Sequence, residues 1–85
     1  PIFSVVIPVH NMIDTIGLCL DSLMALDLAR EKVEVIVVDN MSTDGTLEAA
    51  RRYPVRLLEE REVQGAYAAR NTGIRAASGR FIAFT

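Results

Sequence analysis

The chain has 85 residues, of which 51% are hydrophobic and 24% are charged, and its formal net charge is -2. This length predicts one small domain, residues 1–85, with the composition of a globular protein. The acidic balance argues against nucleic acid or an anionic membrane surface as a partner, since both attract basic faces. No apolar run approaches the ~20 residues that a membrane-spanning helix needs. A single cysteine, Cys19, excludes an internal disulfide, and we expect a reducing, cytoplasmic setting.

The first part of the chain reads as strand, helix, strand. Residues 3–9 are apolar and β-branched almost throughout, as in a parallel strand that is covered on both faces. Apolar residues at helical spacing predict a helix over residues 13–26, with the thiol of Cys19 buried among them. Residues 33–39 predict a second buried strand.

The second part continues the alternation. A helix is predicted over residues 45–53, which a proline then ends. A more polar strand, residues 55–60, has the character of a sheet edge. Residues 64–78 predict an alanine-rich helix, and Gly79 is placed to terminate it. The stretch "RFIAFT" begins a fourth strand.

This order of elements predicts the fold class. Alternating strands and helices favour an open, mostly parallel α/β sheet of about four strands with three helices. Ligands of such sheets bind outside the carboxyl ends of the strands, where the strand order reverses. The sequence therefore nominates residues 9–12 and residues 39–42 as a candidate site.

The loops at this edge restrict the kind of nucleotide chemistry. The first strand is not followed by G-x-G-x-x-G, and the sequence has no G-x-x-x-x-G-K-[ST] loop. The usual cradle of main-chain amides for phosphates is therefore missing. If a nucleotide binds here, an arginine or a metal ion must neutralise its phosphates.

Asp39, at the predicted end of the second strand, has two interpretations. A carboxylate only accepts hydrogen bonds, so it suits the N3–H of a uracil or a ribose hydroxyl. It is equally suited to bonding main-chain amides nearby, as an Asx turn or a helix cap. The residue type and its position leave both open.

Three stretches, in this order, resemble family 2 glycosyltransferases: "VVIPVHN", "VEVIVVDNMSTDGT" and "QGAYAARNTGIRAASGRFIAFT". The resemblance covers the whole chain. It implies an inverting enzyme with a GT-A fold that uses a nucleotide-diphosphate sugar, with a UDP-sugar as the expected donor. It also implies that this chain is the Rossmann-like half of that fold, which holds the nucleotide.

The resemblance also implies the nucleotide-binding residues. They are Pro8, Val9, His10, Asn11, Asp39, Met41 and Arg70. By the same resemblance, Asp44 and Thr46 shape the loop, Asn71 is a structural polar anchor and Gly73 is a close-packing position. Tyr67 is expected to pack in the core rather than to serve the site.

Four positions depart from the family pattern, of which Met12 and Ile13 stand where acidic residues are common. His10 stands where the family usually has tyrosine or another aromatic residue, and its smaller ring can still stack on a base. Met41 stands where glycine is common, which is expected to narrow the loop or change its backbone angles.

In the family, an Asp-x-Asp motif follows the strand that here reads "RFIAFT", and it holds the Mg²⁺ or Mn²⁺ of the diphosphate. The general base lies further downstream. We therefore expect this chain to be an amino-terminal fragment that binds no metal, holds no catalytic residue and transfers no sugar by itself. Membrane association of the full-length protein stays open.

Two rival interpretations remain. One is a small, self-contained α/β nucleotide-binding or interaction module, and the other is a structural fragment that binds nothing. For the family-like strand order 3-2-1-4, two helices cover one face and one helix covers the other. The last strand, with Phe81, Ile82 and Phe84, then becomes an exposed edge, and we expect the chain to form a homo-oligomer.

Overall fold

Strands and helices alternate throughout the described part of the chain, residues 2–26 and 32–84 of the computed structural model. The elements in chain order are β1 (Phe3–Val9), α1 (Ile16–Ala25), β2 (Val33–Asp39), α2 (Thr46–Ala50), β3 (Arg56–Glu59), α3 (Ala66–Ala76) and β4 (Phe81–Phe84). In this described part, no helix is both long and apolar enough to cross a lipid bilayer.

The four strands form one parallel sheet in the order β3-β2-β1-β4. Their register aligns Val9 with Asp39, and Asp39 with Glu59. The carboxyl ends of β1, β2 and β3 are therefore level, and the loops that follow them meet at one edge. The predicted open α/β sheet is confirmed.

Each face of the sheet carries its own apolar core. The core on the α1 and α2 side contains Ile7, Val9, Ile16, Leu20, Val37 and Ala50. The core on the α3 side contains Val6, Ile36, Val38 and Ala69. Because successive strand residues point to opposite faces, β1 and β2 supply both cores. The predicted arrangement of two helices on one face and one on the other is confirmed.

The first helix begins later than predicted, at Ile16 instead of residue 13. The main-chain amide of Met12 donates to Oγ1 of Thr46 at 2.8 Å, and that of Ile13 donates to Oδ2 of Asp44 at 3.2 Å. These side chains of the neighbouring loop hold the backbone in a turn before the helix starts. Apolar spacing alone could not reveal this competition.

The third helix is also shorter than its apolar pattern, and Gly79 does not terminate it. Gly65 precedes the helix with φ 140°, and Ala77 is already extended with ψ 137°. Gly79 instead lies against β1, where a Cβ would come within 2.6 Å of the main-chain nitrogen of Ser4. That glycine is needed for close approach, not for a helix cap.

The second helix ends at Ala50, three residues before the predicted end, because residues 51–52 form a turn. Cys19, predicted to be buried, is only partly buried.

Candidate functional site

The loops after β1 and β2 are tied together at the carboxyl edge of the sheet. The main-chain amide of Asn11 donates to Oγ of Ser42 at 2.9 Å, and the amide of Thr43 donates back to Oδ1 of Asn11 at 2.8 Å. Asn11 has φ 49°, a left-handed conformation that asparagine tolerates better than most residues. The two nominated segments therefore form one structure.

The start of α2 completes this structure. The carboxylate of Asp44 accepts from the main-chain amides of Ile13 and Thr46, and from the Thr46 hydroxyl at 2.5 Å. The hydroxyl of Thr46, foremost, and these amides lower the pKa of Asp44 below its usual range. The prediction that Asp44 and Thr46 shape the loop is confirmed.

Asp39 is only 3% exposed at the end of β2. Its Oδ2 accepts from the main-chain amide of Ser42 at 3.3 Å, while Oδ1 is buried and has no hydrogen-bond partner among the described residues. The contact to the Ser42 amide agrees with the main-chain interpretation of this carboxylate. Burying an acceptor without a donor is unfavourable, and Oδ1 is such an acceptor.

Asn40 lies within the nominated residues 39–42, but no role was predicted for it. It is 3% exposed, and its Nδ2 donates to the main-chain oxygens of Glu60 and Val63, both at 3.0 Å. Its Oδ1 accepts from the amide of Gly65 at 2.7 Å. Asn40 therefore fixes the segment between β3 and α3 to the sheet. Its position directly after β2 was the signal in the sequence that could have indicated this role. Its side chain points to the face of the sheet opposite that of Asp39.

His10 lies beside this segment. Its Nδ1 is 2.5 Å from the main-chain oxygen of Asn40, and its Nε2 is 3.0 Å from Nε2 of Gln64. A cavity of about 200 Å³ opens here, lined by Pro8, Val9, His10, Asn40, Gln64, Gly65, Ala66 and Ala69. Val9 is 2% exposed and packs its side chain in the core, so it offers mainly backbone to this cavity.

A second cavity, of about 400 Å³, lies on the α2 side of the same edge. Its lining residues are Asp39, Met41, Ser42, Thr43, Leu47, Glu59 and Arg61. Met41 has φ 62° and is 41% exposed, so a methionine holds the left-handed conformation that glycine adopts without strain. Met41 therefore adds a side chain to the cavity wall from a backbone conformation that non-glycine residues rarely adopt.

Arg70 lies on α3 and lines neither cavity. Its guanidinium carbon is 5.8 Å from the ring centroid of Tyr67, a cation–π distance. Tyr67 is 79% exposed, so the prediction that it packs in the core is wrong. Ala69 and Gly73 occupy the sheet-facing side of α3, which leaves Tyr67 on the outer side.

Two further predictions on α3 have opposite outcomes. Gly73 is a close-packing position, as predicted, since a Cβ there would lie 3.3 Å from Cγ2 of Val38 and closer still to Val6. Asn71, predicted to be a structural polar anchor, is exposed.

A metal centre is not formed by the residues described. Within residues 2–26 and 32–84, no group of three or more histidine, cysteine, aspartate or glutamate side chains is placed to hold an ion.

These features define a Rossmann-like α/β domain of the GT-A type, with a polar site at the carboxyl edge of its parallel sheet. The family model described as "Glycosyl transferase family 2" matches residues 4–85. The chain belongs to this family.

A similar curated protein is "Glycosyltransferase AglE" of Haloferax volcanii, which is 46% identical over 89 residues. The match covers 99% of this chain and 29% of AglE. Other curated relatives are covered over 14% and 24% of their length, so this chain spans less than a third of these relatives.

Solved structures agree with this assignment. Staphylococcus aureus TarS 1-349 in complex with UDP has a TM-score of 0.92 and 32% identity, over 100% of this chain and 27% of that one. The mannosyltransferase PcManGT of Pyrobaculum calidifontis, in complex with GDP-Man and Mn²⁺, has a TM-score of 0.88 and 39% identity, over 96% of this chain and 26% of that one.

Proposed function

We propose that this chain is the donor-nucleotide-binding part of an inverting glycosyltransferase that transfers a sugar from a UDP-sugar to an acceptor hydroxyl. The observation that carries the proposal is the buried Oδ1 of Asp39, which has no hydrogen-bond donor among the described residues. The N3–H of uracil is a donor of the kind that this oxygen lacks. The UDP complex of the similar TarS chain supports the same choice of base.

The other predicted site residues take roles around this oxygen. Pro8, Val9 and His10 line the cavity on the α3 side, and Met41 lines the cavity that holds Asp39. In this proposal the base lies at the edge between the two cavities, and Asn11 holds the loop that supports it. Arg70 approaches the base or a phosphate from α3.

The diphosphate needs charge that the described residues do not gather. In the proposal a Mg²⁺ or Mn²⁺ of the whole enzyme supplies it, as the Mn²⁺ complex of PcManGT supports. When bound, such an ion stabilises the leaving diphosphate. The 85-residue chain contributes binding and orientation of the nucleotide.

Titration with UDP tests the base assignment. We expect Asp39→Ala to lose a charged hydrogen bond of about 1.5–3 kcal/mol, which is roughly a 10- to 150-fold weaker affinity. Isothermal titration of the parent chain and the variant measures this ratio. Glu48→Ala, which removes an exposed carboxylate of α2, is the matched control and should bind as the parent does.

Equal affinities of the parent and Asp39→Ala would contradict the assignment. GDP should be titrated in parallel, since PcManGT is complexed with GDP-Man. Tighter binding of GDP than of UDP would keep the site and change the base. If neither nucleotide binds, the chain is a structural fragment, whereas binding of an unrelated partner would favour a self-contained module.

A second prediction is that the purified 85-residue chain transfers no sugar. The chain spans less than a third of its curated relatives and gathers no metal-binding cluster in its described part. Departure of a diphosphate without charge stabilisation forfeits several kcal/mol of catalysis. Assays with UDP-sugars and Mn²⁺ measure this, and any enzyme-dependent turnover would show the prediction wrong.

A further inference from the structure

The imidazole ring of His10 has polar neighbours at both of its nitrogens. Nδ1 lies 2.5 Å from the main-chain oxygen of Asn40. Nε2 lies 3.0 Å from Nε2 of Gln64 and 3.3 Å from Nδ2 of Asn11. The hydrogen-bond partner of one ring nitrogen decides which of the two nitrogens carries the proton, so these contacts bear on the tautomer of the ring.

The Asn40 side of the ring fixes the proton. A main-chain carbonyl oxygen can only accept, so Nδ1 must carry the hydrogen that lies between them. This carbonyl belongs to a residue that cannot easily move. Asn40 is 3% exposed, and its amide and side chain are bonded to Val9, Glu60, Val63 and Gly65.

The opposite side of the ring presents only donors. Oδ1 of Asn11 accepts from the amide of Thr43 at 2.8 Å, which turns Nδ2 of Asn11 towards the ring. Gln64 likewise presents its Nε2 amide group. In a neutral ring with the proton on Nδ1, Nε2 carries one lone pair, which the two amides share, Gln64 at the shorter distance.

We infer that Gln64 is a positioning residue for nucleotide binding. With Asn40 and Asn11 it contacts the two nitrogens of the His10 ring, and it thereby fixes the plane of the ring. The ring is then a rigid surface on which the flat base of a nucleoside diphosphate stacks. This inference rests on the proposed function.

The position of Gln64 explains why it is suited to this role. It lies 54 residues from His10 in the chain, directly before Gly65 and α3, and both side chains line the same cavity of about 200 Å³. His10 is exposed, so without the contact to Gln64 one side of the ring would face solvent. A ring that is already ordered loses less conformational entropy when a ligand binds.

The single histidine of the chain makes the tautomer measurable without ambiguity. Nitrogen-15 chemical shifts of the ring at alkaline pH should show a protonated Nδ1 and an unprotonated Nε2. Gln64→Met keeps the length of the side chain but removes the donor. The Asn40 carbonyl still holds the proton on Nδ1, so the Nδ1–H form should persist, while the Nε2 signal should move because this nitrogen loses a donor. Gln64→Lys keeps a donor and should return the Nε2 signal towards its value in the parent.

UDP titrations of the same proteins test whether the contact between Gln64 and His10 affects nucleotide binding. We expect Gln64→Met to bind UDP about 3- to 10-fold more weakly than the parent, as for the loss of one neutral hydrogen bond. Glu62→Gln, an exposed change two residues away, should leave the ring shifts and the affinity unaltered.

Three results would overturn the inference: a proton on Nε2 in the parent chain, an unchanged Nε2 shift in Gln64→Met, or a changed Nε2 shift with an unchanged UDP affinity. If the parent binds neither UDP nor GDP, the proposed function fails instead. The nitrogen shifts would then decide by themselves whether Gln64 fixes the ring.

Discussion

Asp39 and Asn40 are adjacent in the chain, yet their side chains have different hydrogen-bond partners because they point to opposite faces of the sheet. The amide of Asn40 has partners for its oxygen and its nitrogen, and these partners hold the segment before α3. The carboxylate of Asp39 has a partner for Oδ2 only. Asn40, whose side-chain oxygen and nitrogen both have partners, is therefore structural. Asp39, which has one oxygen without a partner among the described residues, is the candidate for ligand contact.

At the opposite edge of the sheet, Glu34 predicts a pH dependence of stability. Burial opposes its charge, but the Ser78 amide, the Ser4 hydroxyl and Arg56 together lower the pKa of Glu34 below its usual value. Such a group stabilises the fold above the pKa of the unfolded chain, about 4.3, and the stabilisation is lost as pH falls through the lower folded value. We expect Glu34→Gln to lose less free energy of unfolding than the parent on acidification.

Urea denaturation at about pH 7 and about pH 3 measures this difference between the parent and the variant. The exposed Glu62 provides the control, since Glu62→Gln should follow the parent. The lowered pKa values of Asp44 and Glu60 also contribute to acid sensitivity, but both groups are present in all three proteins and cancel in the comparison. Equal losses in both variants would contradict the role of Glu34.

Two helical glycines allow a test at the scale of the element. A Cβ on Gly73 would lie 3.2 Å from Cγ2 of Val6 and 3.3 Å from Cγ2 of Val38, and both valines are fully buried. Alanine favours the helix by up to about 1 kcal/mol, but overpacking of a tight core costs about 1–3 kcal/mol. We expect Gly73→Ala to lower the free energy of unfolding, as measured by urea denaturation.

Gly17 in α1 is the matched control for this change. A Cβ there would meet only the Tyr53 hydroxyl oxygen, at an ordinary contact distance of 3.7 Å. Gly17→Ala should therefore raise the free energy of unfolding by about 0.5–1 kcal/mol. If both substitutions stabilise the chain, α3 does not pack against β1 and β2 as closely as described.

At the scale of the whole molecule, the sheet has two open sides within the described residues. There, β4 pairs only with β1, and β3 pairs only with β2. Near β4, Phe3 is 46% exposed and Ile82 is 38% exposed. The predicted contribution of Phe81 and Phe84 depends on side chains that the structure does not describe.

Open strand edges beside apolar side chains recruit further strands. We therefore expect the 85-residue chain to form a dimer or larger assembly, with a molar mass by light scattering above that of the 9.3 kDa monomer. Ile82→Lys places a charge at this edge and should shift the assembly towards monomer. A monodisperse monomer of the parent chain at high concentration would contradict the expectation.

The order of the elements, the parallel sheet and the edge of the candidate site could be predicted from patterns in the sequence. Hydrophobic periodicity and β-branched runs act within a few residues, so they report strands and helices directly. Asp39 could be nominated because it ends such a run. The family resemblance, carried by three stretches of sequence, supplied the expected ligand and the sheet order.

The hydrogen bonds between polar groups that are far apart in the chain could be identified only from the tertiary structure. His10 and Gln64 are 54 residues apart, and Gly79 contacts Ser4 over 75 residues. Such pairs depend on the register of strands and the docking of helices, which local patterns do not encode. The same reason explains the late start of α1, where the amides of Met12 and Ile13 are bonded to side chains more than thirty residues away in the chain. Hydrogen bonds of this kind depend on how the strands and helices pack, and so they are properties of the fold.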